Sequence, residues 1–142
     1  MFQKYWQAPE KTANKFIRNW MKTGDLASMD DEGFVTFSSR DDDVITSAGY
    51  RIGPTEIENC LTGHPDVAMA AAVGVPDPLR TEIVKAFIVL REGASIEGLE
   101  NALIARVRTR ISPHVAPKEI EVIKEMPMTA TGKIIRRELR GQ

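Results

Sequence analysis

Cysteine occurs once, as Cys60, and histidine only twice, as His64 and His114. A single thiol excludes an internal disulfide and any multi-cysteine zinc site. The two histidines lie far apart, each beside a proline, and so lack metal-ligand spacing; no metal site is expected. Charge of one sign is missing too: 19 Lys plus Arg face 20 Asp plus Glu, for a net charge of -1. The chain therefore has no electrostatic footprint for nucleic acid or for an anionic membrane surface. Long hydrophobic runs are absent, since the longest, Val67 to Val75, falls far short of the ~20 residues that span a bilayer. Lys4, Glu10 and Lys11 interrupt the start before any apolar run, so no secretory signal is expected and a cytoplasmic location is. What remains is 142 residues of ordinary composition, 42% hydrophobic and 27% charged. That length suits one domain burying roughly two-thirds of its unfolded surface.

Three regions separate along the chain. Residues 1–36 are rich in aromatics (Phe2, Tyr5, Trp6, Phe16, Trp20, Phe34) but show little periodicity. Pro9 predicts a short helix over Glu10 to Phe16, with proline in its first turn. Asp30-Asp31-Glu32-Gly33 predicts a turn, and Phe34 to Phe37 a strand returning from it. No partner surface for these aromatics is evident within the segment, which reads as the edge of something larger. Residues 37–48 are polar and, by composition, read as a solvated linker. Residues 49–142 read as self-sufficient. Gly53-Pro54 opens a helix carrying Ile57 and Leu61 and stopped at Gly63. Val67–Val75 and Val84–Leu90 are strands. Ser95 is expected to cap a long helix with Ile96, Leu99, Leu103 and Val107 at helical spacing, ended by Ser112-Pro113. Ile120 and Val122 mark a further strand stopped by Pro127, and Ile134, Ile135 and Leu139 a last amphipathic turn or two. The expected fold class is α+β: a short sheet of about three strands packed with helices, preceded by a two-stranded hairpin.

Individual chemical signals are weak. Thr131-Gly132-Lys133 superficially resembles the end of a P-loop, but Ile134 stands where Ser or Thr is required and no upstream glycine matches. Even so, Pro127 to Lys133 presents one ammonium on a small-residue loop before a helix, a point charge that suits a phosphate or carboxylate oxygen. Thr23-Gly24-Asp25 places a carboxylate at a tight turn, where it commonly serves local backbone; an accessible one can accept hydrogen bonds from both hydroxyls of a ribose. The third signal is longer and more specific, running from Arg40-Asp41-Asp42-Asp43 through Ala48-Gly49-Tyr50-Arg51 to Glu58.

Taken in order, these three signals resemble the C-terminal end of adenylate-forming acyl-CoA synthetases, the AMP-forming acid–CoA ligases. The likeness runs from about Tyr5 to Arg140 and is nearest to medium-chain or acetyl-type enzymes. It departs at Ser39, Met21 and Met128, where the family commonly has glycine, an aromatic and a basic residue. The resemblance implies that Asp25 and Arg40 contact ATP or AMP, that Asp42 is a hinge, and that Lys133 is the catalytic lysine of adenylate formation. It implies further that Ala48, Gly49 and Tyr50 line a pantetheine tunnel, with Arg51, Arg80 and Arg108 toward the CoA phosphates. Glycine suits such a loop because backbone can approach a narrow thiol arm.

The resemblance also implies a remnant of a large N-terminal AMP-binding domain over residues 1–41 and a mobile lid over 42–142. The adenine, phosphate and acid pockets would lie in the rest of that domain. The implied cofactors are ATP, CoA and Mg, and the chain by itself is expected to be inactive. Acetylation at Lys133 and self-association through the aromatics of residues 1–36 are further expectations. Two other readings stay open: a stand-alone docking or regulatory module, and the C-terminal domain of a peptide-synthetase adenylation unit.

Overall fold

The computed structural model describes residues 2–141. The chain divides into two compact units, with the boundary between Asp42 and Asp43.

The first unit is built from short local pairings. Helix α1 (Pro9–Asn14) has proline at its start and stops short of Phe16. That residue instead opens β1 (Phe16–Ile17), which pairs with β2 (Trp20–Met21), and its ring stacks on Phe2 at 6.2 Å. Strands β3 (Asp25–Met29) and β4 (Val35–Arg40) form an antiparallel hairpin with Asp25 opposite Arg40. The expected turn closes it: the Asp30 carboxylate accepts the N–H groups of Glu32 and Phe34 at 3.1 and 2.9 Å. Gly33 there adopts φ +87°, a conformation that glycine permits at little cost.

The second unit holds the core. After a 3-10 turn at Asp41–Asp43 come β5 (Ile45–Ser47) and β6 (Tyr50–Ile52), α2 (Pro54–Thr62), β7 (Val67–Asp77) and β8 (Thr81–Leu90). Helix α3 (Leu99–Arg110), β9 (Glu119–Val122) and α4 (Arg136–Leu139) complete it. The sheet runs β6-β5-β8-β7, with β9 parallel to β8. It has five strands rather than about three. The two additions, β5 and β6, arise in and just after the segment read as linker, where Ile45 and Ile52 are buried. The α+β class stands.

Both faces of β7 are covered, which explains its unbroken apolar run. Ala70 and Ala72 face α2 and α3, packed with Ile57, Leu61, Leu103 and Val107. Ala71 and Val73 face the opposite way, toward Phe87, Met126 and Leu139. Alternate residues of a strand point to opposite faces, so a doubly covered strand loses its polar phase.

Two local expectations need correction. Ser95 does not cap α3: Gly98 precedes the helix at φ 72°, the Ser95 hydroxyl accepts the Glu97 N–H at 3.2 Å, and Ile96 is 63% exposed. Gly63 ends α2 as expected, at φ -70° rather than in the left-handed region. It leaves room for Arg106, which donates to the Cys60 and Gly63 carbonyls at 2.7 Å each; a Cβ at Gly63 would lie 2.7 Å from that guanidinium. Finally, Ile134 and Ile135 precede α4, and Ile134 pairs with Met128 across the loop that carries Lys133.

Candidate functional site

The residues singled out in the sequence, Arg108 apart, fall into three places. In the first unit, hairpin register brings together two signals 15 residues apart. Arg40 Nη1 donates to Asp25 Oδ1 at 3.1 Å, and Arg40 Nε donates to Asp42 Oδ1 at 3.2 Å. The Asp25 N–H is held by the Thr23 hydroxyl at 3.1 Å, and the Asp41 N–H by the Gly24 carbonyl at 2.9 Å. Gly24 adopts φ +86°, and a Cβ there would sit 3.1 Å from Arg40 Nη2, so a side chain would press on the guanidinium. Asp42, by its hydrogen bond and charge, and then Asp25 hold Arg40 above the usual arginine range. The cation persists across any working pH, and the Asp25 side chain stays 40% exposed beside it. An accessible carboxylate locked at a rigid turn is the arrangement a sugar diol requires.

The second place is the tip of the β5–β6 hairpin. Ala48 and Gly49 both have positive φ, 49° and 84°, and a Cβ at Gly49 would meet open space. Glycine is thus favoured there by backbone conformation, and substitution projects a side chain outward. The Ala48 N–H donates to the Arg80 carbonyl at 2.9 Å, and Ser47 pairs with Thr81, so the structure brings Arg80 beside this turn. Tyr50 follows on β6, its ring stacked on His114 at 4.9 Å. Arg51 is exposed next to it, whereas Arg108 stands on the exposed last turn of α3, a different element. Glu82 fastens the hairpin to β8 by accepting the Thr46 N–H at 2.6 Å. Gly74 on β7 makes room for it, since a Cβ there would lie 2.6 Å from the Glu82 carboxylate carbon.

The third place is the Lys133 loop. Its backbone closes on itself: the Thr129 N–H donates to the Lys133 carbonyl at 2.8 Å, Gly132 to Thr129 at 2.9 Å, and Ile135 to Pro127 at 2.8 Å. The Thr129 hydroxyl accepts the Lys133 N–H at 3.0 Å and meets the Thr131 hydroxyl at 3.0 Å. Gly132, at φ 80°, makes the reversal. A rigid loop therefore holds out an exposed ammonium.

Residues 56–133 match the family described as AMP-binding enzyme C-terminal domain. The chain belongs to that family. It is 45% identical over 143 residues to the human mitochondrial acyl-coenzyme A synthetase ACSM1, and 46% over 144 residues to the rat mitochondrial ACSM4. Each alignment covers 99% of this chain. Among solved structures, ATP-bound MatB from Rhodopseudomonas palustris superposes with TM-score 0.88 at 30% identity, over 99% of this chain and 28% of that one. The amide bond synthetase McbA from Marinactinospora thermotolerans gives TM-score 0.84 at 35% identity, over 97% and 28%. The chain spans about a quarter of the length of the curated relatives it matches.

Within this AMP-binding C-terminal domain, further residues brace the second and the third place. Thr129, Glu82 and His114 act through contacts that no short motif displays. In the sequence Asp43 stands only as part of an acidic run, yet its carboxylate takes Arg136 Nη1 at 2.9 Å across 93 residues of sequence. The run is exposed at Asp41 and Asp42 but not at Asp43, whose side chain is 16% exposed. Asp42 pairs with Arg40, and its neighbour Asp43 pairs with Arg136. Among the described residues no cluster of three or more His, Cys, Asp or Glu could hold a metal ion, and no helix is long and apolar enough to cross a membrane.

Proposed function

We propose that this chain is the C-terminal part of an ATP-dependent carboxylic acid–CoA ligase, acting as a lid over a larger AMP-binding domain. The reaction would join acid and ATP into an acyl-adenylate with release of pyrophosphate. CoA would then displace AMP to give the thioester. The observation that carries this reading is the pairing, in one small unit, of an exposed lysine on a locked loop with an open glycine turn on a different element. One lid could then present two tools in turn, pivoting at Asp42.

In the first arrangement the Lys133 ammonium would stabilise charge growing between carboxylate and α-phosphate, while Asp25 and Arg40 would hold the nucleotide. A cation aimed where charge develops strengthens most in the transition state. In the second, the turn at Ala48, Gly49 and Tyr50 would line the pantetheine path, with Arg51, Arg80 and Arg108 toward the CoA phosphates. Magnesium would accompany ATP, and in this reading it draws on groups beyond the described residues, whose carboxylates form no such cluster. Because Lys133 is exposed, acetylation there would neutralise the ammonium and act as an off-switch. The exposed aromatics of the first unit, Trp6, Trp20, Phe34 and Phe37, would cover the larger domain in the intact enzyme and favour self-association in its absence. A cytoplasmic location goes with this reading; the mammalian relatives are mitochondrial by name, and one free cysteine does not separate the two compartments.

Single-turnover kinetics on the intact ligase tests the reading. Lys133→Ala should slow adenylation by on the order of 10²–10³-fold, as removal of one preorganised donor does, and leave thioester formation from pre-formed adenylate unchanged. Gly49→Leu should do the reverse, by obstructing the thiol arm. If both substitutions slow the same half-reaction, the two-arrangement mechanism is wrong. The 142-residue chain alone should release no pyrophosphate from ATP and fatty acids.

A further inference from the structure

Arg136 lies three residues beyond Lys133, and its environment is unlike that of a surface arginine. Its side chain is 18% exposed, and the two carboxylates it meets, Asp43 and Glu58, are 16% and 13% exposed. Nη1 donates to Asp43 Oδ2 at 2.9 Å. Nε and Nη2 donate to Glu58 Oε1 at 3.2 and 2.9 Å, and Nη2 also reaches Glu58 Oε2 at 2.9 Å. Glu58 Oε1 in addition accepts the Ala72 N–H at 2.9 Å. Ala72 lies on β7, whose one strand partner among the described residues is β8. Arg140 adds a second cation 3.5 Å from Asp43 Oδ1. A fork of donors thus spans two carboxylates that one ammonium could not hold in the same geometry.

A purely structural account is available, since the cluster covers an edge strand that would otherwise expose an unpaired N–H. That account leaves the choice of residues unexplained. Asp43 directly follows Asp42, and Arg136 opens the helix that directly follows the Lys133 loop. Between Lys133 and Arg136 the backbone has little freedom, because Ile134 pairs with Met128 and the Ile135 N–H is bound to Pro127. Lys133 is thereby tied to Asp43 through a short chain of fixed contacts, although 90 residues of sequence separate them.

We propose that Arg136 is a positioning residue: it locks the chain just after Asp42 to the helix just after Lys133, so that rotation about Asp42 carries the lysine without slack. The proposal rests on the reading of Asp42 as pivot and Lys133 as the adenylation cation. It adds a coupling device that neither role requires. Slack of ~1 Å at a reacting group can cost on the order of 10²-fold in rate.

The test has two arms. In the intact ligase, Arg136→Lys keeps the charge but loses the fork. It should lower the adenylation kcat by about 10- to 100-fold, within the loss that such misplacement produces, at unchanged KM for ATP. The thioester step from pre-formed adenylate should be unaffected. Asp43→Asn should give the same pattern, and the double variant should be no slower than the worse single one, since both would break one link. Equal slowing of both half-reactions, additive losses, or unchanged adenylation would overturn the proposal. In the 142-residue chain, which needs no activity, amide exchange should quicken at Lys133 and Ile135 in Arg136→Lys while Val73 and Leu103 keep their protection. Uniform loss of protection, or no change, would reduce Arg136 to an edge cover and overturn the clamp. Absence of adenylate formation by the unmodified ligase would instead overturn the functional reading, with the exchange arm still deciding the clamp.

Discussion

Up to Asp42, Ser39 is the one buried residue among those described, whereas from Ile45 to Leu139 the chain supplies every buried apolar side chain of the core. Backbone order does not follow this divide. The β3–β4 hairpin is paired over its length, as are β7 and β8. Local hydrogen bonding and hydrophobic burial are therefore separable, and only burial supplies most of the folding free energy. An isolated two-stranded hairpin is marginal in water. Trp6 at 82% and Trp20 at 81% exposure show that the first unit leaves its large apolar side chains uncovered. The second unit has its partners in sequence.

Four experiments would break or sharpen that contrast. The largest effect should come from Phe87→Ala, which empties a fully buried position between Val73, Met126 and Leu139. It should cost ~3–5 kcal/mol in urea unfolding of the second unit, and a loss below that of first-unit substitutions would dissolve the distinction. Next is Gly74→Ala. The added methyl must displace Glu82 from the Thr46 N–H, at a cost of ~1–3 kcal/mol from overpacking and a lost hydrogen bond. Faster exchange of the Thr46 amide, with β7 still protected, would show that the β5–β6 hairpin is fastened through this carboxylate.

A smaller effect is expected in the first unit at Gly33. Its φ is +87° and an added Cβ meets nothing, so Gly33→Ala should cost only the ~1–2 kcal/mol of a left-handed alanine. Fraying of β3–β4 should register it by NMR, without a shift in the unfolding midpoint of the second unit. Smallest of all, Trp20→Ala and Phe37→Ala should change the stability of the 142-residue chain by no more than about 0.5 kcal/mol, as exposed substitutions do. They should also weaken any concentration-dependent association seen by sedimentation, and limited proteolysis should cut ahead of Asp43 first. A large destabilisation at either aromatic would mean that the first unit hides a core of its own.

Much of this could be read from the residues themselves. Val67–Val75 announced a strand by its unbroken apolar run, and both phases of its alternation proved to be covered. Pro54, Pro9 and the Asp30–Gly33 turn announced their elements because their preferences act over a few residues. The order of Asp25, Arg40, Gly49 and Lys133 carried the family, since each motif is contiguous. One error shows where local preference stops. Ser95 looked like a cap because serine often is one, but where the apolar stripe of α3 docks decides where that helix begins. Composition alone reads residues 37–48 as a linker, and only the folded chain shows Arg40 and Arg136 engaging the second and third aspartates of the run.

What the sequence determined by itself is therefore whatever depends on near neighbours: turns, strand phase, helix starts at proline, and the contiguous motifs of the family. What only the tertiary structure decided is which distant groups share one place: Asp25 with Arg40 through hairpin register, the Ala48–Gly49 turn with Arg80 through a backbone hydrogen bond, and Asp43 with Arg136 and Glu58 at the free edge of β7. The reason is physical. A guanidinium fork selects its carboxylates by distance and desolvation in the folded chain, and neither quantity has a fixed spacing along the sequence.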